Sequence, residues 1–113
     1  MSWWNPFRVD VKQQKIEIKV DAKAVLDKIK SELKEPQYPS EWAFTKNLAD
    51  AVRVQRELKY LDKSLQSKMT KLINLLDRGK EYSRANVPIN EWGYVLEQIF
   101  HGIDNLQEEI AKY

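Results

Sequence analysis

The single histidine of this chain, His101, stands four residues after Glu97 and three before Asp104. On a helix those spacings put all three side chains on one face. An imidazole beside two carboxylates is a donor set for a metal ion. Metal sites in helical bundles, however, draw several carboxylates and usually two histidines from facing helices. One histidine falls short of that, and the expectation is an exposed acidic face that carries one imidazole.

Other chemistry is excluded by residue type. There is no cysteine, which removes disulfides, thiolate metal sites and Cys nucleophiles. The stretch Gly79-Lys80-Glu81-Tyr82-Ser83-Arg84 holds the residue types of a phosphate loop. It lacks the required spacing and follows a helical pattern rather than a strand. It reads as a helix stop at Gly79 followed by a polar loop. No Gly-x-Ser-x-Gly elbow or His-Glu-x-x-His pair occurs. Glu108 and Glu109 are adjacent on a solvated helix end, where no cleft is defined for acid–base work. The expectation is a protein without enzymatic activity, with no cofactor and no metal.

Two sets of residues remain that suit binding. The first is cationic: Arg53, Arg56, Lys59, Lys63, Lys68 and Lys71. Arg56, Lys59 and Lys63 are spaced three and four apart, so on a continuous helix they form a row able to track phosphates. Residues 53–84 carry nine basic and four acidic groups, whereas 85–113 carry one basic and five acidic. Two helices packed antiparallel with complementary charge explain the same segregation. Neither a helix-turn-helix signature nor an aromatic row for base stacking accompanies the cations. The second set is aromatic: Trp3, Trp4 and Phe7, in Ser-Trp-Trp-Asn-Pro-Phe at 2–7. Each ring brings ~150–250 Å² of contact area. Such side chains cover exposed core, anchor a partner or sit at a lipid headgroup layer. No amphipathic helix continues the segment, which weakens the lipid option.

The elements that must position these residues follow from periodicity. The chain has 113 residues, one domain's worth. Glycine and proline are scarce, three and four respectively, which favours helices. Residues 8–20 alternate apolar and polar, with Val9 and Val11 on odd positions and Ile16, Ile18 and Val20 on even ones. That pattern predicts a β-hairpin turning at 12–15, or a bulged strand. Asp21 then caps a helix over 21–34, and Pro36 and Pro39 end it. From Ser40 to Arg78 nothing breaks a helix, which at 1.5 Å per residue is a rod on the order of 57 Å long. Its stripe runs Phe44, Leu48, Ala51, Val54, Leu58, Leu61, Leu65, Met69, Leu72 and Leu76. The last helix, 88–113, opens on Pro88. It carries Ile89, Trp92, Leu96, Ile99, Ile103, Leu106, Ile110 and Tyr113, spaced alternately three and four, the seam of a coiled coil.

The expected fold is mainly α: a long central helix with two antiparallel flanking helices, an elongated three-helix bundle or helical hairpin, plus a short N-terminal β-hairpin or β-strand. All 113 residues form a single domain in this reading. A rod that long outreaches either neighbour, so apolar flank is left over. The expected function is a non-enzymatic protein–protein interaction or assembly module that self-associates through its apolar seams. Its partner is a second copy, a dimer first, or another protein. The expected interface comprises Trp3, Trp4, Phe7, Tyr60, Val95 and Phe100. The alternative is a small nucleic-acid-binding accessory protein using the cationic face. The third reading is a peripheral membrane factor anchored by Trp3, Trp4 and Phe7, the least favoured of the three. The longest apolar runs are a few residues and no secretory leader pattern is present, so a cytoplasmic location is expected. Small, cysteine-free, lysine-rich helical chains are common among phage and mobile-element products, which is an association only.

Overall fold

Four helices account for most of the chain in the computed structural model, which describes residues 11–34 and 39–113. They are α1 (Val11–Lys34), α2 (Glu41–Leu58), α3 (Lys63–Arg84) and α4 (Ile89–Ile110). The connections at 59–62 and 85–88 are short, and so is the one from α1 to α2, so consecutive helices are antiparallel neighbours. Cross-links between helices fix the register. On α1 and α2, Lys28 pairs with Asp50 at 2.9 Å and Glu32 with Lys46 at 3.1 Å. On α3 and α4, Lys68 pairs with Glu109. Lys30 reaches Asp104 at 2.6 Å, and Gln107 donates to Asp27 at 2.6 Å, so α1 also lies along α4. The four helices close into a ring around one core.

Two expectations are corrected here. The first concerns the N-terminal strand. Residues 11–20 belong to α1, and no strand occurs among the described residues. The segment Lys12-Gln13-Gln14-Lys15 has no Gly, Asn or Asp to turn a hairpin, and its straight side chains favour helix. Ile18 joins Ala22, Val25, Leu26, Ile29 and Leu33 on the buried face of one helix. Asp21 is therefore no cap; it lies within α1. Val9 lies outside the described residues.

The second correction concerns the rod. The helix expected over 40–78 reverses at 59–62 and folds back on itself as α2 and α3. Asp62 makes the reversal. Its backbone is extended (φ −166°, ψ 134°) and its carboxylate accepts from the Ser64 N–H at 2.6 Å, a helix N-cap. The amides of Leu61 and Asp62 both donate to the Leu58 carbonyl at 3.0 Å and finish α2. The apolar stripe itself is as expected. Phe44, Ala51, Val54 and Leu58 of one half are buried with Leu65, Met69, Leu72 and Leu76 of the other. Each of these side chains larger than Ala51 contributes about 1.5–3 kcal/mol on burial. Folding back lets one seam satisfy the other, with no need of a second molecule.

Gly79 does not stop a helix. It is buried within α3, which continues to Arg84. Asn86 ends it, with φ 55° in the left-handed region. The Val87 amide returns to Tyr82 O and the Asn86 amide to Ser83 O, both at 3.1 Å, a Schellman closure. Gly79 serves packing instead. A β-carbon there would lie 2.5 Å from Cε1 of Phe44. Phe44 is fully buried and tilted against Trp92, with ring centroids 6.0 Å apart, and Tyr82 stacks on Trp92 at 5.9 Å. Trp92 donates its indole N–H to Val87 O at 2.9 Å.

Gly79→Ala is therefore expected to destabilise the fold by about 1–3 kcal/mol, the usual cost of overpacking. Phe44→Leu should relieve part of that cost, so urea melts of the double variant will show a loss smaller than the sum of the single losses.

Candidate interaction surfaces

The bundle has two unlike ends. At one, Phe44, Tyr82 and Trp92 close the core. At the other, α1 begins beyond the last turn of α4, because Val20 and Lys23 already face Ile110. The leading turns of α1 thus have no helix of α4 beside them. Ile16 and Val20, one turn apart on the same side of α1, are 47% and 64% exposed. Val20 lines an open cleft of about 280 Å³ together with Lys19, Lys23, Gln107, Ile110 and Ala111. Tyr60 and Tyr113 are exposed at the same end. The Tyr113 hydroxyl donates to the Asp62 carboxylate. This bond and the Ser64 N–H hold the Asp62 carboxyl below its ordinary range.

Across α1 from that cleft is a second one of about 420 Å³, lined by Gln14, Glu17, Ile18, Asp21, Arg53, Glu57 and Tyr60. Arg53 donates to Asp21 and lies 3.5 Å from Glu57. The guanidinium bond pulls the Asp21 carboxyl down. Glu57 is pushed up, by burial first and by the Asp21 carboxylate second. Two carboxyls thus share one cation.

A third surface follows the groove between α3 and α4. Two contiguous hollows of about 460 and 430 Å³ are lined by Lys68, Lys71, Leu72, Asn74, Leu75, Arg78, Gln98, His101, Gly102 and Asn105. None of these ten is a carboxylate, in a chain with 17 acidic residues. Lys71 has no ion pair among the described residues, and Arg78 donates to the Tyr94 hydroxyl at 3.2 Å. The outer edge of α4 beside the groove is acidic, with Glu97, Asp104 and Glu108 exposed.

The residues expected to bind are distributed unevenly over these surfaces. Trp3, Trp4 and Phe7 lie outside the described residues. Tyr60 is exposed, with the Lys59 ammonium 5.0 Å from its ring centroid. Val95 is fully buried in the chain's own core, which corrects its placement at an interface, and Phe100 is half-buried against that core. The cationic row is divided by the reversal: Arg53 and Arg56 are on α2, Lys59 is in the turn, and Lys63, Lys68 and Lys71 are on α3. Arg53 and Lys68 are held in ion pairs with Asp21 and Glu109. His101 is exposed in the α3–α4 groove, and Asp104 is engaged by Lys30. Among the described residues no group of three His, Asp or Glu side chains is placed to hold a metal ion. Ile16 and Val20 were not foreseen as surface residues, because their alternation with Ile18 read as a strand face. Their i, i+4 spacing was the available signal.

Comparison with known proteins found no matching family model, no similar curated protein and no similar solved structure.

The Asp21–Arg53–Glu57 cluster fixes a pH dependence. Asp21, depressed in the fold, contributes stability above its unfolded value near 3.8 and loses it as pH falls through its lower folded value. Glu57, raised in the fold, opposes folding at neutral pH and is relieved as pH falls below its folded value. Glu57→Gln is therefore expected to hold or raise stability at pH 7, whereas Arg53→Met lowers it and flattens the loss below pH 4. Urea melts between pH 3 and 7 give both signs.

Proposed function

We propose that the chain is a non-enzymatic helical interaction module that associates with a second copy of itself through the open end of the bundle. The observation that carries this reading is the exposure of Ile16 and Val20 beside the apolar cleft floored by Ile110. Large aliphatic side chains grouped on one face mark contact surfaces more than isolated ones do. The described strip alone is small against the ~800 Å² per partner of a standard interface. Trp3, Trp4 and Phe7 supply the remainder at ~150–250 Å² each. Phe7 precedes Val11 by four positions, a reach of up to about 13 Å, so chain length lets these rings adjoin the strip. The seams of α2, α3 and α4 take no part, since they are spent on the internal core.

Sedimentation equilibrium tests this. The wild type is expected to approach twice 13.4 kDa as concentration rises. Val20→Asp, on the exposed strip, is expected to return it to 13.4 kDa with unchanged helical circular dichroism. A wild-type mass of 13.4 kDa throughout rejects the reading.

A second reading, contact with nucleic-acid phosphates, is favoured by one observation: the α3–α4 groove with no carboxylate in its lining. Lys71 and Arg78 are its free-facing cations, and the acidic edge of α4 limits how long a polyanion it suits. Binding of an oligo-dT strand is expected to be weak and to fall with salt. Lys71→Glu with Arg78→Glu is expected to reduce the log–log salt slope by about 1.4, two contacts at ~0.7 each. A slope unchanged by the pair removes this reading. The membrane reading draws on no described residue, and no described helix is long and apolar enough to cross a bilayer.

A further inference from the structure

The segment from Glu41 to Arg84 contains no proline, and its one glycine, Gly79, is already helical. The reversal at 59–62 is thus built from Lys59, Tyr60, Leu61 and Asp62, none of which breaks a helix by its covalent structure. Helical geometry persists into the reversal. Lys59 has helical dihedrals (φ −58°, ψ −26°), and the Asp62 amide still makes the i to i−4 bond to Leu58 O. Only then does Asp62 turn to the extended region.

We propose that the chain exchanges its α3–α4 hairpin with a second copy, by straightening residues 59–62 so that 41–84 become one helix. In the exchanged dimer α1 and α2 of one copy pack on α3 and α4 of the other. Every core contact is kept, because each helix meets the same neighbours in the same register; the two forms differ only at the reversal. The closed form holds the Asp62 cap on Ser64 and the Tyr113 hydroxyl on Asp62. The open form replaces them with helical bonds to the carbonyls of Lys59, Tyr60 and Leu61, which accept no backbone amide in the closed form. The straight helix is about 66 Å long at 1.5 Å per residue. This inference does not rest on the apolar strip at Ile16 and Val20.

Two substitutions push the equilibrium in opposite directions. Asp62→Ala removes both bonds that hold the closed form and favours exchange. Lys63→Pro blocks it. Position 63 is the first residue of α3, where proline is accepted, and the preceding Asp62 already has the extended backbone that proline demands. In a continuous helix the same proline would clash with the Lys59 carbonyl.

The chain has no cysteine, so spin labels go only where they are placed. Trp42→Cys with Glu81→Cys puts labels on exposed positions of α2 and α3 near the aromatic end of the bundle. Labelled chain is refolded at millimolar concentration with a large excess of unlabelled chain, and monomer and dimer fractions are separated by size. The monomer is expected to give a short distance. The dimer is expected to give one near about 58 Å, the separation of 39 residues along one helix. The dimer population that shows the long distance is expected to rise with Asp62→Ala and to vanish with Lys63→Pro, while Val20→Asp leaves that population unchanged. A dimer fraction that shows only the short distance, or a long-distance population that survives Lys63→Pro at wild-type yield, overturns the exchange. So does an Asp62→Ala chain that stays monomeric after refolding. A short-distance dimer abolished by Val20→Asp would instead leave the strip-mediated association standing alone.

Discussion

Everything in this bundle depends on the chain reversing at Asp62. Without that reversal α2 and α3 form a rod with one apolar stripe and no partner of its own. With it, the two halves of the stripe face each other, and α1 and α4, each packed on one half, are brought side by side. The ring closes through Lys30–Asp104 and Gln107–Asp27. The device is modest: one extended residue, a carboxylate on a Ser64 amide and a tyrosine hydroxyl from the end of the chain. Both of these bonds are exposed, where water competes for the same groups. Within a single chain the core that folding back creates outweighs them, so burial selects the reversal in the monomer and the cap fixes where it falls.

Two features set how the helices meet once the chain has turned. Gly79 lets the Phe44 ring lie against the backbone of α3, which holds α2 and α3 at close range. Asn47, the single buried polar residue among those described, lies three residues beyond Phe44. Its amide donates to Glu32 on α1 at 2.9 Å and to Ala43 O at 2.6 Å, while its Oδ1 has no partner. A buried acceptor without a donor costs stability. What the residue gives in exchange is specificity: it ties α1 to α2 at one height, where an apolar side chain would allow a slip of one turn. The salt bridges on either side, Lys28–Asp50 and Lys46–Glu32, repeat the same register at the surface, where they hold geometry more than they stabilise.

How much of this was legible in the sequence differs between elements for physical reasons. The seam of α4, from Ile89 to Ile110, was plain because alternate spacings of three and four suit a helix and nothing else. The stripe through α2 and α3 was equally plain, yet the reversal within it was not. No glycine or proline marks 59–62, and the choice between rod and hairpin is made by burial between residues far apart in sequence. The two traces it left were the consecutive four-residue steps Leu61–Leu65–Met69 and the capping type of Asp62. In α1 a five-residue window, Ile16 to Val20, satisfies a period of two as well as a helical face. Only its continuation to Leu33 separates them. At the surface, Arg53 and Lys68 looked available because Asp21 and Glu109, which bind them, are 32 and 41 residues away. Val95 looked like a flank because the count of neighbours was short by one helix.

That missing neighbour also changes where association must be sought. An extended rod spreads its uncovered apolar surface along its length. A closed ring of four helices removes it from the sides and leaves it where helix lengths fail to match. Here α1 starts beyond α4, so the mismatch falls at the leading turns of α1, beside the reversal at Asp62. At the end closed by Phe44, Tyr82 and Trp92 the exposed ring is that of Trp42, at the start of α2. Two constraints therefore meet at one pole of the molecule: uncovered aliphatic side chains, and a turn whose closed form rests on one cap. A second copy that covers the first also lies beside the second. The sides offer charge, with cations along α3 and carboxylates along α4. Lys68 and Asp104 are already engaged by Glu109 and Lys30, whereas Lys71 and Arg78 line a groove that holds no carboxylate, the place on the sides where an anionic partner would meet cations alone.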